Sequence, residues 1–458
     1  MRKITIFTLF LCIIAVSIIM FFSNRPSYSQ TQPSEGEEGA CITSNCHDRI
    51  DKEKFVHSPV AASQCTECHG ESPQHKASPK KYKFGAIKDI DKKCYSCHEK
   101  FEQKKFTHAP VANGECIACH NPHGSQYKFQ LVAQGGDLCF NCHDKKLVSG
   151  KYAHEPAAAG ECIACHAPHT ADYEKNLKAK GPALCFTCHT EQAEAFQKAK
   201  VIHKPVDEDC TNCHNPHSAE KKFMLNYEAP VLCFGCHKEK KEWVEKSLIQ
   251  HGALTLMTGN KSCSNCHLPH VSDIPKILSM APMDLCLSCH DKEVKAYDGT
   301  TLTNMKKLLA DNPDHHGPIN EKDCSACHDP HGSEYFRILR NAYPSTFYMP
   351  YRPENYSLCF SCHEEEIARN PETAKLTNFR NGDINLHFKH VNKPDKGRTC
   401  RACHETHAGK RPKHIRESVS FGSWDLPINF QKTETGGSCA PGCHEPKKYD
   451  RVKKEAYK

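Results

Sequence analysis

Cys116-Ile-Ala-Cys-His-Asn-Pro-His123, followed by Leu138-Cys-Phe-Asn-Cys-His143, is the stretch that decides how this chain is read. Its kernel, Cys-x-x-Cys-His, occurs thirteen times in 458 residues. The first seven copies are Cys65/Cys68/His69, Cys94/Cys97/His98, Cys116/Cys119/His120, Cys139/Cys142/His143, Cys162/Cys165/His166, Cys185/Cys188/His189 and Cys210/Cys213/His214. The next six are Cys233/Cys236/His237, Cys263/Cys266/His267, Cys286/Cys289/His290, Cys324/Cys327/His328, Cys359/Cys362/His363 and Cys400/Cys403/His404. Stretched versions, Cys41/Cys46/His47 and Cys439/Cys443/His444, bracket the array. Together the fifteen motifs use all but one of the 31 cysteines, and the exception is Cys12.

On one helical turn, residues i and i+3 share a face and i+4 lies beside them. Two thiols and an imidazole then converge on one flat group, as covalent attachment of a c-type haem requires. Structural zinc also uses paired cysteines, but it needs four ligands and no His directly after the second Cys. A disulfide framework has no use for the His either. Histidine makes up about 7% of the chain, 32 residues in all, so fifteen such coincidences are not chance. The stretched motifs break the single-turn geometry. Their local alternative is a disulfide or unused thiols, set against the adjacent His47 and His444.

Two motif types alternate. One is followed by Pro-His, as at Cys116, Cys162, Cys210, Cys263 and Cys324; Cys400-Arg-Ala-Cys-His-Glu-Thr-His407 keeps only the His. The other begins Leu-Cys, at Cys139, Cys185, Cys233, Cys286 and Cys359. A near-constant period signals stacked units that lean on their neighbours. Mean hydropathy is −0.66, so apolar side chains offer little core, and the haems are expected to supply it. The fold class expected is a haem-organised array, mostly irregular with short α-helices and little or no β-sheet. Helices are expected over 190–200, 238–250 and 301–310. The chain divides into a three-haem segment (41–110), a paired-haem repeat (111–299), a C-terminal paired region with insertions (300–446) and a basic, solvated tail (447–458).

These motifs resemble the multihaem c-type cytochromes with doubled Cys-x-x-Cys-His, and the resemblance runs from Cys41 to His444. It implies electron transfer in the periplasm or at the cell surface. The donor it implies is another cytochrome or a membrane quinol-oxidising complex, and the acceptor an outer-membrane or extracellular partner. The chain departs from the pattern in its stretched ends and in insertions after His290, His328 and His363.

Seventeen histidines lie outside the motifs. One set precedes the Pro-His-type motifs: His57, His108, His154, His203, His251, then His315 or His316, and His387 or His390. A second set follows them: His75, His123, His169, His217, His270, His331 and His407. His414 and the spare of each doublet remain. These are candidate distal iron ligands. The upstream set is expected to reach the far face of its own haem, and the downstream set to reach the next haem of the pair. One terminal haem is left unmatched. The eight Met keep no fixed offset from the motifs, so axial Met, which raises haem potential, is not indicated.

Residues 1–29 read as a signal peptide, with Arg2 and Lys3 ahead of an apolar run and Ser27-Tyr28-Ser29 as the cleavage site; the run is also long enough for an uncleaved anchor. Residues 30–40 form a polar, disordered tether. The formal charge of +7 falls by three when Arg2, Lys3 and Arg25 leave, and haem propionates make the mature protein acidic. Many lysines then neutralise propionates. No nucleic-acid motif is present. The leading function is an electron carrier with about fifteen haems. Two alternatives stand beside it: a reductase of nitrogen or sulfur oxyanions with one open iron, and a subunit of an extracellular cytochrome filament. All fifteen motifs end in His, so the Lys-for-His motif of the nitrite-reducing type is missing.

Overall fold

Each strict motif closes one turn. In all thirteen the His N–H donates to the carbonyl of the first Cys, at 2.9–3.1 Å. That is the i→i−4 bond of an α-helix, and it puts both thiols and the imidazole on one side. The computed structural model describes residues 41–42, 46–255, 261–442 and 444–456. The signal peptide or anchor, the tether, Cys12 and Cys443 lie outside the described residues. At the stretched C-terminal motif His444 instead bonds the Pro441 carbonyl, at 3.4 Å.

The chain is short helical turns and irregular connections. The three helices expected from sequence are present with trimmed ends, at Thr190–Lys198, Lys238–Lys246 and Met305–Asp311. Leu-Cys motifs end short α-helices such as Gly136–Cys139 and Pro182–Cys185, whereas most Pro-His motifs sit on 3₁₀ turns such as Cys116–Ala118.

The β-structure is small but systematic. Two residues before each upstream His pair antiparallel with two residues after the downstream His of the following repeat. Phe55–Val56 joins Gly124–Ser125, Phe106–Thr107 joins Thr170–Ala171, and Tyr152–Ala153 joins Ser218–Ala219. Val201–Ile202 joins Val271–Ser272, Ile249–Gln250 joins Gly332–Ser333, and Asp314–His315 joins Ala408–Gly409. Each repeat is stitched to the next by these ladders.

The described residues form two compact units. One holds the chain up to His143 together with Gly160–Asn176; the other holds Asp144–Ala159 and Leu177 onward. Only the second has clusters of buried apolar side chains among the described residues. Leu309, Ile319 and Ala408 form one; Tyr356, Ala368 and Val391 form the other. The haem-poor stretch after His404 forms a hairpin, Ser418–Phe421 with Trp424–Pro427. The tail expected to be solvated instead begins as a strand. Lys447–Asp450 pairs with Gly436–Cys439, and Tyr449 is buried. Tyr449 packs edge-on against Phe379, ring centroids 5.0 Å apart, while Lys447 and Lys448 are exposed.

Candidate haem centres

Motif histidines do not stand alone. Thirteen of them face a second histidine ring with centroids 5.8–6.3 Å apart. In twelve of these pairs the planes lie within 25° of parallel; His214 with His270 is tilted by 36°. A metal–imidazole nitrogen bond is about 2 Å. Two rings on opposite sides of one iron therefore stand roughly 6 Å apart, and the observed spacing fits that group.

The pairing differs from the sequence expectation in both sets. Upstream histidines other than His387 skip their own motif and face the motif that follows it: His57 faces His98, His108 faces His143, His154 faces His189, His203 faces His237, His251 faces His290 and His316 faces His363. Downstream histidines face backward, to the preceding repeat: His123 faces His69, His169 faces His120, His270 faces His214, His331 faces His267 and His407 faces His328. The ladders between repeats explain this, because they carry each downstream His back beside the earlier repeat. In five repeats the upstream His N–H donates to the downstream His carbonyl, as in His57 to His123 at 3.0 Å.

The ends are also filled. His75 lies opposite His47, and His387 opposite His404. His390 lines the same cavity as His444. Of the 315/316 doublet only His316 faces a motif histidine; the His315 Nε2 pairs with the Leu309 carbonyl at 3.0 Å. The His414 Nδ1 meets the Asp314 carbonyl at 3.0 Å, with its ring edge-on to His316. His166 and His217 are described within their own units: the Nδ1 of His166 sits 2.8 Å from the Lys175 carbonyl, and the His217 N–H donates to Asn215.

Backbone carbonyls orient the rings. The Nδ1 atoms of His57, His108, His154 and His203 lie 2.9–3.0 Å from the carbonyls of Pro122, Pro168, Pro216 and Pro269. His251 is bonded likewise to Pro330. The Pro-His dipeptide therefore does two things: its His faces one motif, and its Pro carbonyl holds the His that faces another. On the motif side, the Nδ1 atoms of His120, His214, His267, His328 and His404 sit 2.8–3.0 Å from carbonyls nine residues on. Those carbonyls belong to Phe129, Phe223, Lys276, Arg337 and Lys413, all left-handed with φ 56–62°. Engaging Nδ1 turns Nε2 toward the opposite ring, the arrangement typical of metal-bound imidazole. Sequence reading missed these acceptors, since the positions hold Phe, Lys and Arg, not the Gly or Asn that mark positive φ. Burial pushes His387 down to about 3, and His390 and His407 to about 4. All three stay neutral, as a metal ligand must be.

Cysteines of consecutive motifs approach each other. First thiols come near each other at Cys41–Cys65, Cys94–Cys116, Cys139–Cys162, Cys185–Cys210, Cys233–Cys263, Cys286–Cys324 and Cys359–Cys400. Second thiols come near each other at Cys119–Cys142, Cys213–Cys236, Cys266–Cys289, Cys327–Cys362 and Cys403–Cys439. In the second unit one continuous cavity of about 5010 Å³ runs along nine motifs, Cys185 to His444, and the histidines that face them. That is roughly 560 Å³ per motif, inside the range of cofactor sites. No group of three or more His, Cys, Asp or Glu converges as a metal-ion site among the described residues.

Presentation of the second thiol follows two patterns: it is exposed at Cys46, Cys68, Cys97, Cys142, Cys188, Cys236, Cys289 and Cys362, and half-buried at Cys119, Cys165, Cys213, Cys266, Cys327 and Cys403. Cys46 is exposed. Four residues rather than two separate it from Cys41, so no single turn puts the two thiols on one face. Cys97 and Cys188 are also exposed, each last but one in its motif turn, with the Ser96 and Thr187 hydroxyls 3.9 Å from their sulfurs. Cys188 does not line the cavity, although Cys185 and His189 of the same motif do. Cys165 is half-buried inside its own unit, and its N–H donates to the Cys162 carbonyl at 3.3 Å.

The family described as the doubled CXXCH motif matches residues 57–103, 108–147, 154–194, 203–242, 257–295 and 316–368, more than half of the chain. The chain is a multihaem c-type cytochrome. Its six doubled motifs imply about twelve covalent haems. It is 30% identical over 187 residues to the multihaem cytochrome MtrA of Shewanella baltica (strain OS185). That match spans 40% of this cytochrome and about half, 48%, of the relative. No helix among the described residues is long and apolar enough to cross a membrane.

Proposed function

We propose that this cytochrome carries fifteen haems, each held between two histidines, and passes electrons along them in sequence order. The observation that carries the reading is the row of facing histidine rings, 5.8–6.3 Å apart at thirteen motifs. His390 would add a fourteenth by serving His444. Every haem supplies one-electron redox chemistry at low potential when both axial positions are imidazole. The chain's part is to saturate the iron, so that no position is open to a substrate, and to place each attachment turn beside the next. Alternating approach of first and second thiols along the motif order supports an unbranched line.

The setting proposed is the periplasm or cell surface, after export directed by residues 1–29. The partners are other redox proteins: a cytochrome or quinol-oxidising membrane complex as donor, and an outer-membrane or extracellular acceptor. The role is a relay in anaerobic or extracellular respiration. The stretched motifs at Cys41/Cys46 and Cys439/Cys443 take haem like the rest, through His47 and His444. Cys97, Cys165 and Cys188 carry it on the strength of their motif spacing.

Two measurements test this. Intact mass of the mature protein is expected to equal the chain from Gln30 plus fifteen haems. Electron paramagnetic resonance is expected to show low-spin iron only, and the reduced protein to bind no carbon monoxide. A high-spin signal with carbon monoxide binding overturns the pure carrier and favours an oxyanion reductase.

A further inference from the structure

Repeats along this chain complete one another in one direction. Four Pro-His-type motifs face a ring from the repeat that follows, as His120 does with His169 and His328 with His407. His404 belongs to the last motif of this type in the sequence. The ring it faces, 6.3 Å away and 16° from parallel, is His387, which precedes its own motif. His387 lies on the short helix Leu386–Val391. One turn along that helix is His390, which lines the same cavity as His444. Residues three apart on a helix share a face, so one element addresses both of the last two motifs.

Six residues do not make a stable helix unaided. This one is held at both ends. Asn385 is fully buried and caps it, its Oδ1 accepting from the His387 and Phe388 N–H groups at 3.0 and 3.4 Å. Its Nδ2 donates to the carbonyls of Ile367 and Asn370 at 2.9 and 2.8 Å. An amide offers two donors and two acceptor sites, and here all four are used. At the far end the Asn392 Nδ2 donates to the Ala368 carbonyl at 3.1 Å. The His390 Nδ1 is paired with the Leu386 carbonyl at 2.6 Å, which turns its other nitrogen outward.

We propose that the helix Leu386–Val391 is the terminator of the array: one rigid element that supplies the sixth ligand to the irons of both final motifs, with Asn385 as the positioning residue for the two. Terminal units of stacked arrays are commonly atypical because they must close what a neighbour would otherwise complete. The inference rests on the bis-histidine reading proposed above.

The test uses the full-length, haem-loaded protein. High-spin iron is counted by electron paramagnetic resonance, and carbon monoxide uptake is measured on the reduced form. His387→Ala and His390→Ala are each expected to release one iron to high spin and bind about one carbon monoxide. Asn385→Ala is expected to release two together. Asn385→Ser, which keeps a capping oxygen, is expected to return most of both to low spin. Asn385→Ala with unchanged spectra, or with a single iron changed, overturns the shared terminator. His390→Ala with no carbon monoxide uptake overturns it as well, and does so even where the Asn385 variant fails to accumulate. High-spin iron in the unsubstituted protein instead overturns the bis-histidine reading, which separates the two failures.

Discussion

Residues 106–250 and 351–399 both carry attachment motifs, yet they are built on opposite plans. In the first stretch, Ile117, Phe129, Ile163 and Phe223 are exposed, and Ala171 and Ile249 are the buried apolar residues. In the second, Tyr356, Ala368, Leu386 and Val391 are buried, and Tyr356, Asn381, Asn385 and Thr399 are among the most deeply enclosed side chains described. The repeats hold their shape through carbonyl-held histidines and two-residue ladders, with the cofactor as core. The C-terminal insertion brings a protein core of its own. Spacing the motifs farther apart gives the chain enough apolar residues between them to bury one another.

The comparison breaks most visibly when haem is withheld. Chain produced without haem attachment is expected to lose amide protection throughout residues 106–250, while residues 351–399 keep the most. Hydrogen exchange with mass spectrometry reads this, and equal protection of the two stretches in the haem-free chain would sink the distinction. Next in size is Tyr356→Ala, which removes a fully buried ring and is expected to cost about 3–5 kcal/mol. Phe223→Ala, at 62% exposure, is expected to cost less than about 1 kcal/mol. Denaturant titration of the haem-loaded variants compares them, and similar losses at the two sites would contradict the contrast.

A smaller effect sharpens what the two regions share. Lys175 and Lys413 hold equivalent left-handed positions, φ 57° and 62°, in an early and a late repeat. Lys175→Gly and Lys413→Gly are each expected to stabilise by about 1 kcal/mol, because glycine adopts that conformation without a Cβ penalty. A gain at one site and a loss at the other would show that the loops are not equivalent. Smallest of all is Glu194→Gln, which breaks the exposed 3.0 Å pair with Lys198. Thermal melts are expected to register less than about 0.5 kcal/mol.

Much of this architecture is legible in the residues. The single-turn geometry follows from Cys-x-x-Cys-His itself, and the alternation of Pro-His and Leu-Cys types marks the repeat. Which histidine faces which does not follow, because sequence proximity is the wrong guide. His57 lies close to Cys65 in the chain, yet its ring faces His98, since the strand before it pairs with Gly124–Ser125. Two-residue strands such as Phe55–Val56 carry too little pattern to announce that ladder. Nor does spacing foretell exposure, because Cys97 and Cys119 occupy the same motif position, one exposed and the other half-buried. The acceptors at Phe129 and Lys276 were hidden for another reason: their left-handed backbone is imposed by the loop and the His it serves, not chosen by side-chain preference. The Asn385 cap was invisible because an asparagine inside an insertion has no motif around it.

The backward reach of the downstream histidines sets a timetable. A chain threaded out amino end first presents Cys65, Cys68 and His69 well before His123 has emerged. Each site of that type must wait, with one side of its metal unclaimed, until another repeat has been delivered. Maturation then advances as a wave that trails the leading edge by one repeat, and it closes only when the final segment arrives. An interrupted chain would carry its defect at the broken end alone, leaving every earlier site complete.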